Sequence, residues 1–183
     1  MLLSTLNWIL STRKPDSLVI ISSPVPVGFT RHLADRWPAL HFAYVPENVR
    51  THHEVDDFRH QPRIVAGLGT DAPRAVLAAI LAPFTQHIVW TNIETAEMSK
   101  HALNSYLALQ ATWANQLADL SERLGVDYGV VETALRLDLR IGPHAYVANR
   151  PIDGTHLFRD VNWLRDLAAQ QDMTLPLADT LVR

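Results

Sequence analysis

The sequence predicts an α/β fold in two parts: a mostly parallel sheet with helices over residues 1–91, then an all-helical part over 92–183 with one long central helix. Three observations predict it. Short apolar and β-branched runs alternate with helical patterns in the first half, the arrangement of βαβ units that feed a parallel sheet. From Ile93 to Leu124 the pattern is helical throughout. All seven Gly and eleven Pro fall outside that stretch, where they mark turns.

Taken in order, Ser17–Ser23 (SLVIISS) lies between Pro15-Asp16 and Pro24 and reads as a buried strand. Pro24, Pro26 and Gly28 make a stiff turn into a helix over Phe29–Trp37, which stops before Pro38. His41–Val45 is the next strand, ended by Pro46. Arg63–Gly67 is the third, followed by a helix over Ala72–Leu81, and His87–Trp90 is the fourth. The Ile93–Leu124 helix would extend about 48 Å at 1.5 Å per residue. Leu103, Leu107, Trp113, Leu117, Leu120 and Leu124 give it apolar positions at near-heptad spacing, and Gly125 ends it. Val126–Leu137 and His156–Gln170 read as two further helices. The boundary between the halves falls near Thr91–Asn92.

Composition bounds the function. A chain of 183 residues, 48% hydrophobic and 19% charged, can bury a core without staples. Net charge −3 and a pI near 6.3 argue against a dedicated nucleic-acid binder, which needs a basic face. With no cysteine there is no disulfide framework, no thiolate–zinc cluster and no Cys nucleophile. The apolar opening, Met1–Leu10, is short and lacks a basic leader and a small-residue cleavage site. No other run approaches the ~18 residues of a membrane span. A cytoplasmic protein is expected.

Four constellations are candidates for chemistry. Glu97, Lys100, His101 and Asn104 stand at i, i+3, i+4 and i+7 and share one face of the long helix. The stripe reads either as a solvated face with a Glu–Lys pair or as a catalytic Lys–Asn pair. Gly67-Leu-Gly-Thr-Asp-Ala72 has the form G-x-G-x-x-A between a strand and a helix. Yet no acidic residue follows ~20 residues on, and Asp71 puts negative charge where a pyrophosphate would bind, so an ordinary turn is expected. His53, Asp57 and His60, within a cluster that also holds His52, Glu54 and Asp56, would share a helical face able to take a divalent metal; a solvated loop is the plainer reading. Asp153 or Thr155 would cap the His156 helix and put Asp160 in its first turns. His156 beside that turn is a candidate acid–base or binding group.

Several segments, in this order, resemble the UDP-glucose/GDP-mannose dehydrogenase family. Ile21-Ser-Ser-Pro-Val-Pro-Val-Gly28 is similar to its S-S-T-V-P-V-G segment, Tyr44-Val-Pro-Glu-Asn-Val-Arg50 to its N-P-E-x-L-R loop, and Pro62-Arg-Ile-Val-Ala-Gly67 to its D-R-I-V-x-G strand. Glu94–Asn104 resembles S-A-E-x-x-K-x-x-x-N, Arg140-Ile-Gly142 resembles R-I-G, and Gly154–Asp160 resembles G-G-S-C-F-P-K-D. The similarity runs from about Ser17 to Gln170.

The resemblance implies a partial Rossmann-like sheet, the C-terminal part of an NAD-binding domain, followed by a central dimerisation domain. It implies oxidation of the C6 alcohol of a UDP- or GDP-linked sugar, with NAD as acceptor. Lys100 and Asn104 would stabilise an oxyanion or position water, Glu47 would be the general base, and Asp160 would pair with Lys100. Arg140, His156 and Val49 would touch substrate, Arg140 across a homodimer, and Ser22, Ser23 and Pro24 would lie at the cofactor. Three departures accompany these matches. Where the family carries its nucleophilic Cys this sequence has His156 or a neighbour, which closes the covalent thioester route. Pro24 replaces a Thr. The family's Gly-rich NAD motif would lie upstream of Met1, so the chain reads as the middle of a longer enzyme.

The leading expectation is a member or fragment of the NAD-dependent nucleotide-sugar dehydrogenases, binding NAD weakly by itself and self-associating through the long helix. The alternatives are a non-catalytic dimerisation module, or degenerate pseudoenzyme, of the same descent, and a two-electron dehydrogenase that stops at the aldehyde.

Overall fold

The computed structural model describes residues 2–49, 53–142 and 155–182, with side chains from Thr5 onward. Helix α1 (Leu2–Ser11) precedes β1 (Leu18–Ile21), α2 (Phe29–Arg36), β2 (His41–Tyr44), α3 (Glu54–Arg59), β3 (Ile64–Leu68), α4 (Arg74–Leu81) and β4 (Ile88–Asn92). Then come α5 (Ile93–Leu124), α6 (Tyr128–Leu137), α7 (His156–Ala169) and α8 (Pro176–Leu181). The chain divides into two compact units, Met1–Lys100 and His101–Arg183.

The four strands form one sheet in the order β1-β2-β3-β4. β1 runs parallel to β2 and β3 parallel to β4, while β2 and β3 are antiparallel. Alternation along each strand sorts side chains to two faces. Val19, Ile21, Phe42 and Tyr44 pack with Leu6 and Leu10 of α1 and Leu33 of α2. Leu18, Ile20, Ala43, Ile64 and Ala66 pack with Leu77 and Leu81 of α4. Strands this apolar on both sides are what a sheet covered on both faces requires.

The sequence places the boundary at Thr91–Asn92; the units part nine residues later, between Lys100 and His101. The first turn of α5 belongs to the sheet's core, where Ile93 and Ala96 are fully buried with Phe42 and Tyr44. Gly67 permits this. A Cβ there would sit 2.7 Å from the Ala96 Cβ, 2.8 Å from the Asn92 carbonyl oxygen and 2.9 Å from the Ile93 Cα. The first glycine of the G-x-G-x-x-A string therefore serves close packing of β3 against the β4–α5 junction, and the helix that follows the string starts only at Arg74.

In the second unit, Ala108 and Ala111 of α5 are small enough for α7 to approach, and they pack against Leu157, Val161 and Ala178. Gly125 ends α5 with φ +68°, its N–H bonded to the Glu122 carbonyl and that of Val126 to Ser121, a Schellman closure. Asp127 caps α6 through the Gly129 N–H at 2.9 Å. Thr155 caps α7; Asp153, the other expected cap, lies outside the described residues, as do Arg50, His52 and Gly154. The sequence reading has no counterpart of α8, a six-residue helix opened by Pro176.

Candidate functional site

The polar stripe of α5 is not a solvated face. Glu97 is 0% exposed, His101 1% and Asn104 3%. Nor does Glu97 pair with Lys100. Its carboxylate accepts the backbone N–H of Gly28 at 2.6 Å and of Thr30 at 2.9 Å. Gly28, at φ +91°, is the N-cap of α2 and has no side chain to offer. Glu97 supplies from across the fold the acceptor that the cap lacks, with its negative charge at the positive end of the helix.

Lys100 leads to the loop after β2. Its ammonium donates to the Glu47 carbonyl oxygen at 2.6 Å and to the Asn48 Oδ1 at 3.2 Å. Pro46 ends the strand and turns the chain outward, leaving the Glu47 side chain exposed. With Glu54, Val55, Phe58 and Arg59 that side chain lines a shallow depression of about 300 Å³. Val49 follows, half-buried. Ser22 and Ser23 are exposed just past the C-terminal end of β1, and Pro24 beside them is half-buried. In α/β sheets, the carboxyl ends of strands are where ligands bind.

In the second unit the site centres on Asp160, which is fully buried. Thr155 starts α7 and places Asp160 one turn inside it, facing α5. The Asn104 amide donates to Oδ2. Arg159 donates to Oδ1 from Nε at 3.2 Å and Nη2 at 3.1 Å. His101 Nδ1 lies 3.5 Å from the same oxygen, an ion-pair distance. Burial by itself would raise the Asp160 carboxyl; contacts from His101 and Asn104 and the charge of Arg159 outweigh it and hold the group below the ordinary carboxylate value. Asp160 is thus an ionised, buried carboxylate with fixed donors on both oxygens.

The remaining candidates have other surroundings. Arg140 follows α6, its side chain 89% exposed, and forms a two-point pair with Asp138 at 2.9 and 2.6 Å. His156 is the exposed first residue of α7. On α3, His53 is the N-cap and His60 the C-cap, with His60 Nδ1 3.2 Å from the Asp56 carbonyl. Among the described residues no group of three or more His, Asp or Glu could hold a metal ion. Sequence reasoning missed Trp163, which meets the His101 ring at 5.3 Å between centroids and carries the Arg159 guanidinium 4.9 Å above it. The available signal was its position, i+3 from Asp160 and i+4 from Arg159.

A dinucleotide's pyrophosphate needs open backbone N–H groups at a helix start. At α2 the N–H groups of Gly28 and Thr30 are taken by Glu97 and that of Phe29 by the Pro26 carbonyl. At the G-x-G-x-x-A turn, the space over Gly67 is filled by the β4–α5 junction. Neither of these two turns fits that group.

Residues 94–183 match the central domain of the UDP-glucose/GDP-mannose dehydrogenase family. UDP-glucose 6-dehydrogenase of Rickettsia typhi is 29% identical over 175 residues, 92% of this chain and 40% of that protein. Its counterpart in Rhizobium meliloti is 31% identical over 177 residues, 91% of this chain and 40% of that protein. A UDP-glucose dehydrogenase structure from Pyrobaculum islandicum superposes with a TM-score of 0.83 at 29% identity, covering 91% of this chain and 40% of that one. These matches place residues 94–183 in the UDP-glucose/GDP-mannose dehydrogenase family, as its central domain. The chain spans about 40% of the length of the curated relatives it matches.

Proposed function

We propose that this chain supplies the sugar-side residues of an NAD-dependent nucleotide-sugar 6-dehydrogenase. One observation carries the reading. Asn104 and Asp160, drawn from two segments 56 residues apart that both match family signatures, meet in a buried hydrogen bond. A carboxylate kept ionised at zero exposure is costly to hold for packing alone. Asn104 would present its amide to a developing oxyanion or to water, with Asp160 fixing which way that amide faces. Lys100, held at the Glu47–Asn48 loop, supplies positive charge for an oxyanion, and the exposed Glu47 is the general base. Arg140, His156 and Val49 are substrate contacts, and Ser22, Ser23 and Pro24 line the approach to the acceptor. The acceptor NAD would take a hydride. Since neither the α2 start nor the Gly67 turn fits its pyrophosphate, this chain's part is to bind the sugar, move its protons and line the approach to the acceptor.

The chain would also act as a homodimer. Tyr106, Trp113 and Leu120 stand seven residues apart along α5, each more than half exposed, and such a stripe is what a second copy would cover. No helix among the described residues is long and apolar enough to cross a membrane.

The test is a chimaera in which this chain replaces the matching portion of the Rickettsia typhi enzyme. NADH formation with UDP-glucose is expected, abolished by Lys100→Ala. Because His156 stands at or near the position of the family's thiol, one NADH per sugar and an aldehyde product are expected. A folded chimaera that binds NAD yet leaves it oxidised would favour a non-catalytic module.

A further inference from the structure

We propose that His101 is a positioning residue for the Asp160 carboxylate, fixing Oδ1 while Asn104 fixes Oδ2. None of the signature positions assigns His101 a role; it stands between Lys100 and Asn104, and spacing alone makes it one more polar residue of the stripe.

Burying this ring has a cost. An imidazole that is 1% exposed has given up its water, which is unfavourable unless the protein returns polar contacts. Among the groups it meets are a carboxylate oxygen at an ion-pair distance of 3.5 Å from Nδ1, longer than a well-formed hydrogen bond, and the Trp163 ring, nearly perpendicular at 84°. The ring contact fixes the imidazole plane. An ionised carboxylate only accepts, so the nitrogen turned toward it, Nδ1, is the one that carries hydrogen. Trp163 performs the same service for the other occupant of Oδ1, because the Arg159 guanidinium rests on its face. His101 from α5 and Arg159 from α7 are therefore both set by one indole and both directed at one oxygen. Asn104, one turn beyond His101, takes Oδ2. The carboxylate is left with a single orientation, and the Asn104 amide bonded to it is oriented in turn. His101 acts on the proposed chemistry only through Asp160.

This inference deepens the proposed function and rests on its use of Asp160, but its test reads the carboxylate directly and needs no turnover. The chain labelled with ¹³C at aspartate carboxyls is titrated by NMR, with Asp160 assigned from its loss in Asp160→Asn. His101→Phe keeps an aromatic ring against Trp163 and removes the donor; the Asp160 midpoint should rise by roughly 1 unit. His101→Gln returns a donor and should recover part of that shift. A packing role would change stability in both variants and leave the midpoint where it was. An unmoved midpoint in a folded His101→Phe, or a Gln variant no better than Phe, overturns the proposal. Should His101→Phe fail to fold, the ¹⁵N pattern of the wild-type imidazole decides: hydrogen on Nδ1 supports it, and a neutral ring with hydrogen only on Nε2 overturns it. Loss of activity in the chimaera with the midpoint shift intact would sink the enzymatic reading and leave His101's role standing.

Discussion

At the residue scale the behaviour of the second unit turns on Asp160. Its donors hold its folded-state carboxyl below the ordinary value. A group depressed in this way contributes stability above its unfolded pKa, about 3.9 for Asp, and loses it as pH falls through the lower folded value. We expect Asp160→Asn to destabilise the chain by about 3 kcal/mol at pH 7 in urea unfolding, since it leaves the donors aimed at Oδ1 without a charge to meet. The gap between wild type and variant should narrow steadily below about pH 4. A gap independent of pH would mean that the carboxylate is not charged in the folded state. Asp160 was legible in the sequence through the segment it closes. That His101 and Asn104 would be its neighbours was not, because spacing along one helix cannot say which residues of another helix it faces.

The element scale concerns how α5 begins. Glu97 closes the start of α2, so Glu97→Ala should leave the buried Thr30 N–H and the part-buried Gly28 N–H without their acceptor and cost about 2–4 kcal/mol. Glu97→Gln, which keeps one acceptor oxygen, should cost less. Hydrogen exchange at the Thr30 amide would show the opening locally, and unchanged protection in the alanine variant would contradict the capping role. Gly67→Ala tests the other contact of this junction. Its methyl would meet backbone atoms of Asn92 and Ile93, which have little room to move, so a loss of about 2–3 kcal/mol is expected by thermal or chemical denaturation. The same two contacts bear on ligands. With the α2 amides occupied and the Gly67 approach filled, the isolated chain should bind NAD no tighter than about millimolar by calorimetry. A micromolar constant would show that another cradle exists.

For the whole molecule, the informative surface is the exposed side of the helical unit. Tyr106 (60% exposed), Trp113 (58%) and Leu120 (52%) on α5 are matched on α6 by Val130 (65%) and Leu137 (76%), also exposed and also seven apart. α6 has no buried residue at all, which is unusual for a helix with an apolar side. A second copy that covered these side chains would account for both facts. Sedimentation at micromolar concentration should show a dimer, and Trp113→Glu should convert it to a monomer whose unfolding remains cooperative. A wild-type monomer at those concentrations would refute the reading.

The four strands and the helices α2, α4, α5, α6 and α7 were legible in the sequence, because apolar period and the Gly/Pro punctuation are local signals; α1 and α8 were not, and the α3 segment read more plainly as a loop. α5 begins at Ile93 and ends at Leu124 as expected, and β1 and β2 fall within their predicted runs. The sequence by itself also determined which residues carry charge at conspicuous spacing, and through them the resemblance that the family match supports. Tertiary structure decided what those charges do. A stripe of four polar residues at helical spacing looks the same whether it faces water or a core. Only the folded chain separates Glu97, spent on the α2 amides, from Lys100, directed at the Glu47 loop, and from His101 and Asn104, committed to Asp160. It also gave Gly67 its meaning. The absence of a side chain there answers the close approach of Ile93 and Ala96, residues 26 and 29 positions away, and no local pattern reports a contact of that separation.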